Sequence, residues 1–391
     1  MRILVTDGEQ RAALAVVRSL GGAGHEVIVV SESGRSLAGA SRYASHEIAT
    51  PDPLRDPEAF GEAIVRITET ESIEALLPIT EASLRVALPL RESLEPALLP
   101  FPDAEIFARA SDKAALLDTA RSMGIAVPEQ DTLENPQDAR SLALDFPVVL
   151  KPYVSVAREG DRARKLGVVH AATEGELTAA LAVFPRSAYP ILAQRRIVGP
   201  GVGIFLLRWN GATRAVFAHR RIREKPPSGG VSVYRESVAI PPAWVVQAER
   251  LLERFDWRGV AMVEFKLDAE TDTPYLMEVN GRFWGSLQLA IDAGVDFPRL
   301  LIEAASGAAG SPPPVARPGI RLRWELGDLD HLLALLRRSR RELHLPPDAP
   351  SRLLAAASVL LPWRPGERWE VLRPSDPMPF FREAVNWARG G

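Results

Sequence analysis

The residues best suited to chemistry in this chain are two glutamates, Glu264 and Glu278, each set in an apolar run: Met262, Val263 and Phe265 around the first, Leu276, Met277 and Val279 around the second. Two β-rich runs flank a polar connector, the pattern of an antiparallel hairpin. A hairpin that pairs Asp268 with Pro274 around a five-residue loop sets Glu264 opposite Glu278, with Asn280 two residues further along the same face. Opposed Cβ atoms in such a ladder lie about 4.5–5.5 Å apart, and like charges there repel. Apolar neighbours make solvent screening a poor remedy, so a divalent cation is expected. Magnesium suits, because it is held by one or two carboxylates while phosphate oxygens and waters complete its shell. Asn280 could add a neutral oxygen, and Arg282, just past the strand, could neutralise charge developing on a phosphoryl group. The competing reading is a hairpin with two glutamates on a wet face, and a one-residue slip of register would separate them onto opposite faces.

These residues need a scaffold, and the chain supplies an α/β one. Ile3 to Thr6, a helical run from about Gln10 to Leu20, glycines at 21, 22 and 24, and Glu26 to Val30 read as a β-α-β unit. The pattern repeats with a helix near Pro57 to Glu69, a strand at Glu74 to Pro78, a turn at Ile79 to Ser83 and a short strand at Ala97 to Pro100. Ligands of open parallel sheets sit beyond the carboxyl ends of the strands, which nominates Asp7, Gly8, Thr80 and Glu81 as a substrate edge. Turn and helix capping is their alternative use. Only Gly8 of a dinucleotide glycine fingerprint is present, which argues against a nicotinamide cofactor.

Further on, Ser111-Asp112-Lys113 opens a helix, and Lys151 ends the apolar strand Phe146 to Leu150. A buried lysine needs a partner, and a phosphate would serve; snorkelling to the surface is the alternative. Residues 153–167 read as a basic loop with Arg158, Arg162, Arg164 and Lys165. Gln194 lies in the strand Pro190 to Ile197, and Asn210-Gly211 marks a tight hairpin. The segment Arg220 to Lys225 enters a Pro226-Pro-Ser-Gly-Gly230 loop, which makes Arg223, Ser228 and Gly229 candidates near reacting groups.

The order of these signals resembles the ATP-grasp ligases, the superfamily of biotin carboxylase, carbamoyl-phosphate synthetase and D-alanine–D-alanine ligase. The resemblance covers roughly residues 1–307 and is most specific at Met277 to Arg282 paired with Met262 to Phe265. It implies a mixed α/β fold: a Rossmann-like parallel-sheet domain at 1–110, a linker helix and small lid at 111–190, an antiparallel catalytic subdomain at 191–309, and an extension at 319–391 without visible chemistry. It further implies that ATP binds with magnesium, or manganese in its place, at Glu264, Glu278 and Asn280. Lys113 and Lys151 would contact phosphates, Gln194, Arg196 and Ile197 would line the adenine pocket, and Arg282 would stabilise the transferred phosphoryl group. Arg195 and the 199–203 turn depart from the family pattern, as does Gly281, which replaces a common proline in a change expected to be tolerated.

The implied reaction joins a small-molecule carboxylate to an amine through an acylphosphate. Two alternatives stay open: phosphorylation of bicarbonate for carboxyl or carbamoyl transfer, and a nucleotide-binding regulatory protein without turnover. Composition narrows the field. The net charge of −3 gives no nucleic-acid footprint, and the chain has no cysteines and therefore no thiolate chemistry. The six histidines show no zinc-hydrolase spacing, and no P-loop or nucleophile-elbow motif is present. The apolar runs are too short for a bilayer, and a cytoplasmic protein with no membrane partner is the expectation; packing or homodimer formation is the role open to the extension.

Overall fold

The computed structural model describes residues 1–152, 156–159, 162–227, 229–308, 312–340, 342–343, 345, 351–360 and 366–389. The amino-terminal part runs β1 (Arg2–Val5), α1 (Arg11–Gly22), β2 (Glu26–Ser31), β3 (His46–Ala49), α2 (Pro57–Thr70), β4 (Ala75–Leu77), α3 (Glu81–Ala87) and α4 (Ala104–Ser111). Next come α5 (Lys113–Ser122), β5 (Gln130–Leu133), β6 (Val148–Pro152), β7 (Val156–Glu159), β8 (Arg162–Lys165), β9 (Val169–Ala171), α6 (Glu174–Ala182) and β10 (Ile191–Arg195). The remainder is β11 (Gly201–Trp209), β12 (Ala212–Lys225), β13 (Val231–Ser237), α7 (Pro242–Arg254), β14 (Gly259–Leu267), β15 (Pro274–Asn280), α8 (Leu287–Asp292), α9 (Phe297–Ala305), β16 (Arg321–Arg323), α10 (Glu325–Arg337), α11 (Arg352–Leu360), β17 (Glu367–Trp369) and α12 (Met378–Ala388). No described helix is long and apolar enough to cross a membrane.

The chain divides into two compact units, one of residues 1–111, 201–264 and 279–391, the other of 112–200 and 265–278. Of the segments expected from sequence, 1–110 and 319–391 fall in the first unit and 112–190 in the second, while 191–309 is shared between them.

In the first unit a parallel sheet has the order β3-β2-β1-β4. The buried stretches of β1, β2 and β4 are apolar (Ile3 against Val27 and Ala75, Val5 against Val29 and Leu77), as strands covered on both faces must be, while the edge strand β3 is more exposed. The α1 face Ala12, Ala13, Val16, Val17 and Leu20 is buried, and Gly24, at φ 89°, provides the left-handed exit that ends this turn. The strand expected at Ala97 to Pro100 is reduced to a single bridge, Ala75 to Leu98. A seven-stranded sheet follows the order β15-β14-β11-β12-β13-β16-β17. The Asn210-Gly211 turn, with φ of 51° and 74°, joins β11 to β12 as its residue types require.

The extension belongs to this unit as structure: β16 pairs with β13 and β17 with β16. Its carboxylates bind arginines from elsewhere in the unit. Glu370 meets Arg11 at 2.5 Å and also pairs with buried Arg235, Asp376 holds Arg18 at 2.8 Å, and Asp328 takes Arg223.

The second unit is built on an antiparallel sheet, β5-β10-β6-β9, whose core is Leu133, Val148, Leu150, Leu177, Leu181, Ile191 and Ala193. The basic stretch read as a loop contains a hairpin instead, with Val156 opposite Lys165 and Glu159 opposite Arg162.

Candidate active site

In the first unit the candidate residues gather where β12 and β14 lie on either side of β11 and where β15 ends. Glu264 is half-buried in β14, and Arg221 of β12 donates from Nη2 to its Oε2 at 2.5 Å. The same guanidinium donates from Nη1 to Glu224 Oε1 at 2.8 Å and to the Gly230 carbonyl at 3.3 Å. The sequence reading missed Arg221 and assigned the offset of the Glu264 charge to a cation alone. Its signal was the period of two along β12: Ala215, Phe217, His219 and Arg221 all fall on the less exposed side of the strand, up to a register shift just past Arg221. His219, fully buried against Phe205 and flanked by Arg221 and Arg235, has its pKa driven well below 6.5 by burial and by those charges.

Beyond β15, Arg282 donates to the Phe283 carbonyl at 2.9 Å and to Asn280 Oδ1 at 3.3 Å. Buried Phe283 and Trp284 anchor this strand end: Trp284 packs on Phe205 at 4.2 Å and on Phe297 at 5.0 Å between ring centroids. Gly281, which stands where the family pattern has proline, has no room for a side chain, because a Cβ there would come within 2.1 Å of the Trp257 ring. The hairpin connector is tighter than expected, since Asp268 N–H donates to Thr273 O at 3.0 Å rather than pairing with Pro274.

Arg223, read as a candidate near the reacting groups, is engaged elsewhere. It donates from Nε to Asp328 Oδ1 at 2.6 Å and from Nη2 to Oδ2 at 2.5 Å, and it stacks over Tyr234 with 4.3 Å to the ring centroid. Gly229 donates its N–H to the Pro226 carbonyl at 3.1 Å, while Ser228 lies outside the described residues.

The nominated substrate edge of the parallel sheet takes the capping role. The Asp7 carboxylate accepts from the N–H groups of Ile79 (3.2 Å) and Thr80 (3.1 Å) and from the hydroxyls of Thr80 (2.9 Å) and Ser83 (2.6 Å), fastening the end of β1 to the start of α3. Thr80 is the N-cap of α3, and Glu81 pairs with Arg85 on the surface at 2.8 Å. Gly8 makes room for Ser36, whose Oγ would be 2.3 Å from a Cβ.

In the second unit the register of β6 and β10 puts Lys151 opposite Leu192 and Val149 opposite Gln194. Ile191, Ala193, Val148 and Leu150 fill the core, so Lys151 and Gln194 share the other face of the sheet. Gln194 is 1% exposed, and its Nε2 donates to Gln130 Oε1 at 2.8 Å. Its own Oε1 is buried with no hydrogen-bond partner among the described residues, a state a buried carbonyl rarely keeps without a ligand or water. Arg196 follows, its N–H on the Pro147 carbonyl at 3.0 Å and its pKa lowered by burial, and Ile197 is buried. Arg195, where the family pattern is acidic, stacks over Tyr275 at 5.6 Å. Gly199, at φ 151°, lets the turn close on β14, since a Cβ would lie 1.8 Å from the Leu267 carbonyl. Lys113 stands in the first turn of α5, behind the Asp112 N-cap.

Among the described residues, no group of three or more His, Cys, Asp or Glu could enclose a metal ion. Glu264 and Asn280 lie in the first unit and Glu278 in the second; carboxylate and amide oxygens are donor types that magnesium accepts while phosphate and water complete its shell.

A four-stranded parallel sheet, a four-stranded antiparallel sheet and a seven-stranded, mostly antiparallel sheet whose strand β15 runs into Glu-Val-Asn-Gly-Arg are the parts of an ATP-grasp fold. Residues 188–327 match the family described as ATP-grasp in the biosynthetic pathway with Ter operon. Among solved structures, an L-amino acid ligase from Bacillus licheniformis is 18% identical with a TM-score of 0.62, over 81% of this chain and 75% of that one. N5-carboxyaminoimidazole synthetase from Staphylococcus aureus is 16% identical with a TM-score of 0.62, over 81% and 79%. The biotin carboxylase domain of the Hydrogenobacter thermophilus 2-oxoglutarate carboxylase, crystallised with MgADP and bicarbonate, is 17% identical with a TM-score of 0.63, over 82% and 73%. No curated protein matches the chain.

Proposed function

We propose that this protein is an ATP-dependent carbon–nitrogen ligase: it transfers the γ-phosphoryl group of ATP to a substrate carboxylate and passes the activated acyl group to an amine, giving an amide, ADP and phosphate. The observation that carries this reading is the end of β15. There Arg282 is held by a backbone carbonyl and by Asn280, in the same unit as half-buried Glu264. A fixed guanidinium beside carboxylate and amide oxygens is suited to phosphoryl transfer, which asks for positioning and charge neutralisation and for no covalent nucleophile. It has the same use in either half-reaction: drawing charge off the phosphoryl oxygens as they leave ATP, and again as phosphate leaves the acyl carbon.

The antiparallel sheet of the second unit carries the other candidate nucleotide contacts. Lys151 would pair with phosphate oxygens as a point charge, with Lys113 in support. Gln194 would accept from the exocyclic amine of adenine, satisfying the Oε1 that lacks a partner, while Arg196 and Ile197 offer backbone groups to the ring. Glu264, Glu278 and Asn280 would hold magnesium, which when bound neutralises phosphate charge. Arg223 drops out of the catalytic set because Asp328 holds it, and Asp7 and Thr80 drop out as substrate contacts because they cap α3. Ser228, Gly229 and Glu81 keep no assigned role. The relatives named as an amino acid ligase and a carboxyaminoimidazole synthetase support the reaction class.

The test is ADP release in a screen of amino acids and small carboxylates offered in pairs. ADP formed only when a carboxylate and an amine are both present is the expected result. ADP formed with bicarbonate and no amine would replace this reading with a carboxylating one, and tight MgATP binding without ADP release in any pair would replace it with a regulatory one.

A further inference from the structure

We propose that the tip formed by the end of α10 and the start of α11 docks on an anionic lipid surface. It stands apart from the nucleotide reading and uses none of its residues.

The stretch 336–354 holds Arg337, Arg338, Arg340, Arg341 and Arg352 against only Glu342 and Asp348, in a chain whose net charge is −3. The fold gathers the described arginines instead of spreading them. Arg352 donates from Nη2 to the Arg338 carbonyl at 2.7 Å, which brings the first turn of α11 onto the end of α10. Leu335, Leu343 and Ala355, with Ala334 and Leu345 packed around them, form a small core that fastens the two ends. The nearby acid is already engaged: Glu342 accepts from the N–H and the hydroxyl of Ser339, both at 2.7 Å, and feels the charge of Arg338. One carboxylate among the guanidiniums of Arg337, Arg338, Arg340 and Arg352 leaves the tip cationic, and the field of such a cluster draws anions.

Beside these charges stand exposed leucines. Leu353 is 84% exposed, Leu354 65% and Leu336 51%, and none of them belongs to the small core. Apolar side chains ringed by arginine suit a contact in which leucine enters the headgroup boundary while guanidiniums meet lipid phosphates. A protein partner fits less well. A docked helix needs apolar residues in one stripe, three or four positions apart, whereas Leu353 and Leu354 are consecutive and point about 100° apart around α11. Leucine is also under-represented among the residues that anchor protein interfaces. A bilayer surface asks for no such register. The expectation of no membrane partner rested on the lack of a spanning run, which a surface contact does not need.

The experiment is sedimentation of full-length protein with vesicles. Vesicles of phosphatidylglycerol mixed with phosphatidylcholine should carry the protein down, less so as salt rises, and vesicles of phosphatidylcholine alone should leave it in solution. Each basic residue near an anionic leaflet strengthens binding about fivefold, so Arg337→Gln combined with Arg338→Gln should weaken it about twentyfold. Leu353→Ser combined with Leu354→Ser leaves the charge unchanged and should weaken binding about tenfold. All four positions are exposed, and thermal melting checks that both variants fold. Wild type that ignores anionic vesicles, or that binds neutral ones equally well, overturns the proposal whatever the variants do. So does vesicle binding that a folded leucine variant retains in full, because charge alone would then be the attraction. Capture of an amphipathic acidic peptide without any vesicle binding would give the tip to a protein partner instead.

Discussion

Arg221 and Arg223 stand two residues apart on β12, but the register shifts between them, so Arg221 lies opposite Arg235 and Arg223 opposite Tyr234, successive residues of β13 that point to opposite faces. Arg221 faces Glu264 and the 226–230 loop, among groups that suit a nucleotide and its metal. Arg223 is clamped by Asp328, a buried aspartate at the start of α10, which also meets Arg323 at 3.5 Å, while Arg323 in turn reaches Glu367 at 2.7 Å. Neighbouring arginines thus serve different ends because the carboxylates that meet them come from different parts of the chain. Charge on a strand says little about role until the partner is known. The extension, which showed no chemistry in the sequence, turns out to hold that partner.

Breaking each side of this contrast should give opposite phenotypes. The largest effect is expected for Glu278→Gln on the nucleotide side: loss of Mg²⁺-dependent ATP turnover by at least about a hundredfold with the fold intact, read by ADP release and circular dichroism. On the other side, Asp328→Ala leaves Arg223 without its buried counter-charge, while Arg323 keeps Glu367, and should cost about 3–5 kcal/mol in urea unfolding. Gly281→Ala sharpens the comparison from between the two. It pushes a methyl into Trp257 and should cost about 1–3 kcal/mol, and the shift of Arg282 should lower turnover as well. Lys151→Ala should weaken ATP binding about tenfold by calorimetry while the melting temperature holds, whereas unchanged affinity would return this lysine to the surface.

The smallest effect is expected within the extension. Burial raises the Glu383 carboxyl from 4.5 to about 7, while its Oε1 accepts from Trp324 Nε1 at 2.8 Å. An acid whose folded pKa is raised binds more protons folded than unfolded, so stability falls as pH climbs from 4.5 toward 7 and levels off above. Glu383→Gln keeps an acceptor for the indole and removes this slope. It should be more stable than the wild type at pH 8 by about 1 kcal/mol and nearly equal at pH 4.5, read by thermal melts.

Local signals in the sequence carried well. The β-α-β opening, the Asn210-Gly211 turn and the strands bearing Glu264 and Glu278 follow from residue type and period, because each is decided by neighbours a few positions away. Long-range contacts did not carry. Asp7 looked like a ligand at a strand end, and only the approach of Ile79, Thr80 and Ser83 makes it a cap. That Gly281 leaves no room for a side chain follows only from Trp257, distant in sequence, which fills the space beside it. Arg221 meets Glu264 across an intervening strand, β11, a contact that spacing along the chain does not report. The stretch 153–167 was misjudged for a different reason: its arginines and glycines suggest a loop, whereas the rungs of β7 and β8 are backbone pairs that side-chain types barely report.

The central claim is transfer of a phosphoryl group from ATP to a carboxylate, and oxygen tracing tests it directly. With a carboxylate–amine pair that supports ADP release, the carboxylate is labelled with ¹⁸O and the phosphate formed is read by ³¹P NMR. One labelled oxygen in phosphate for each amide made is the predicted result, because the acylphosphate leaves its bridging oxygen on phosphorus. Amide formation with unlabelled phosphate would contradict it.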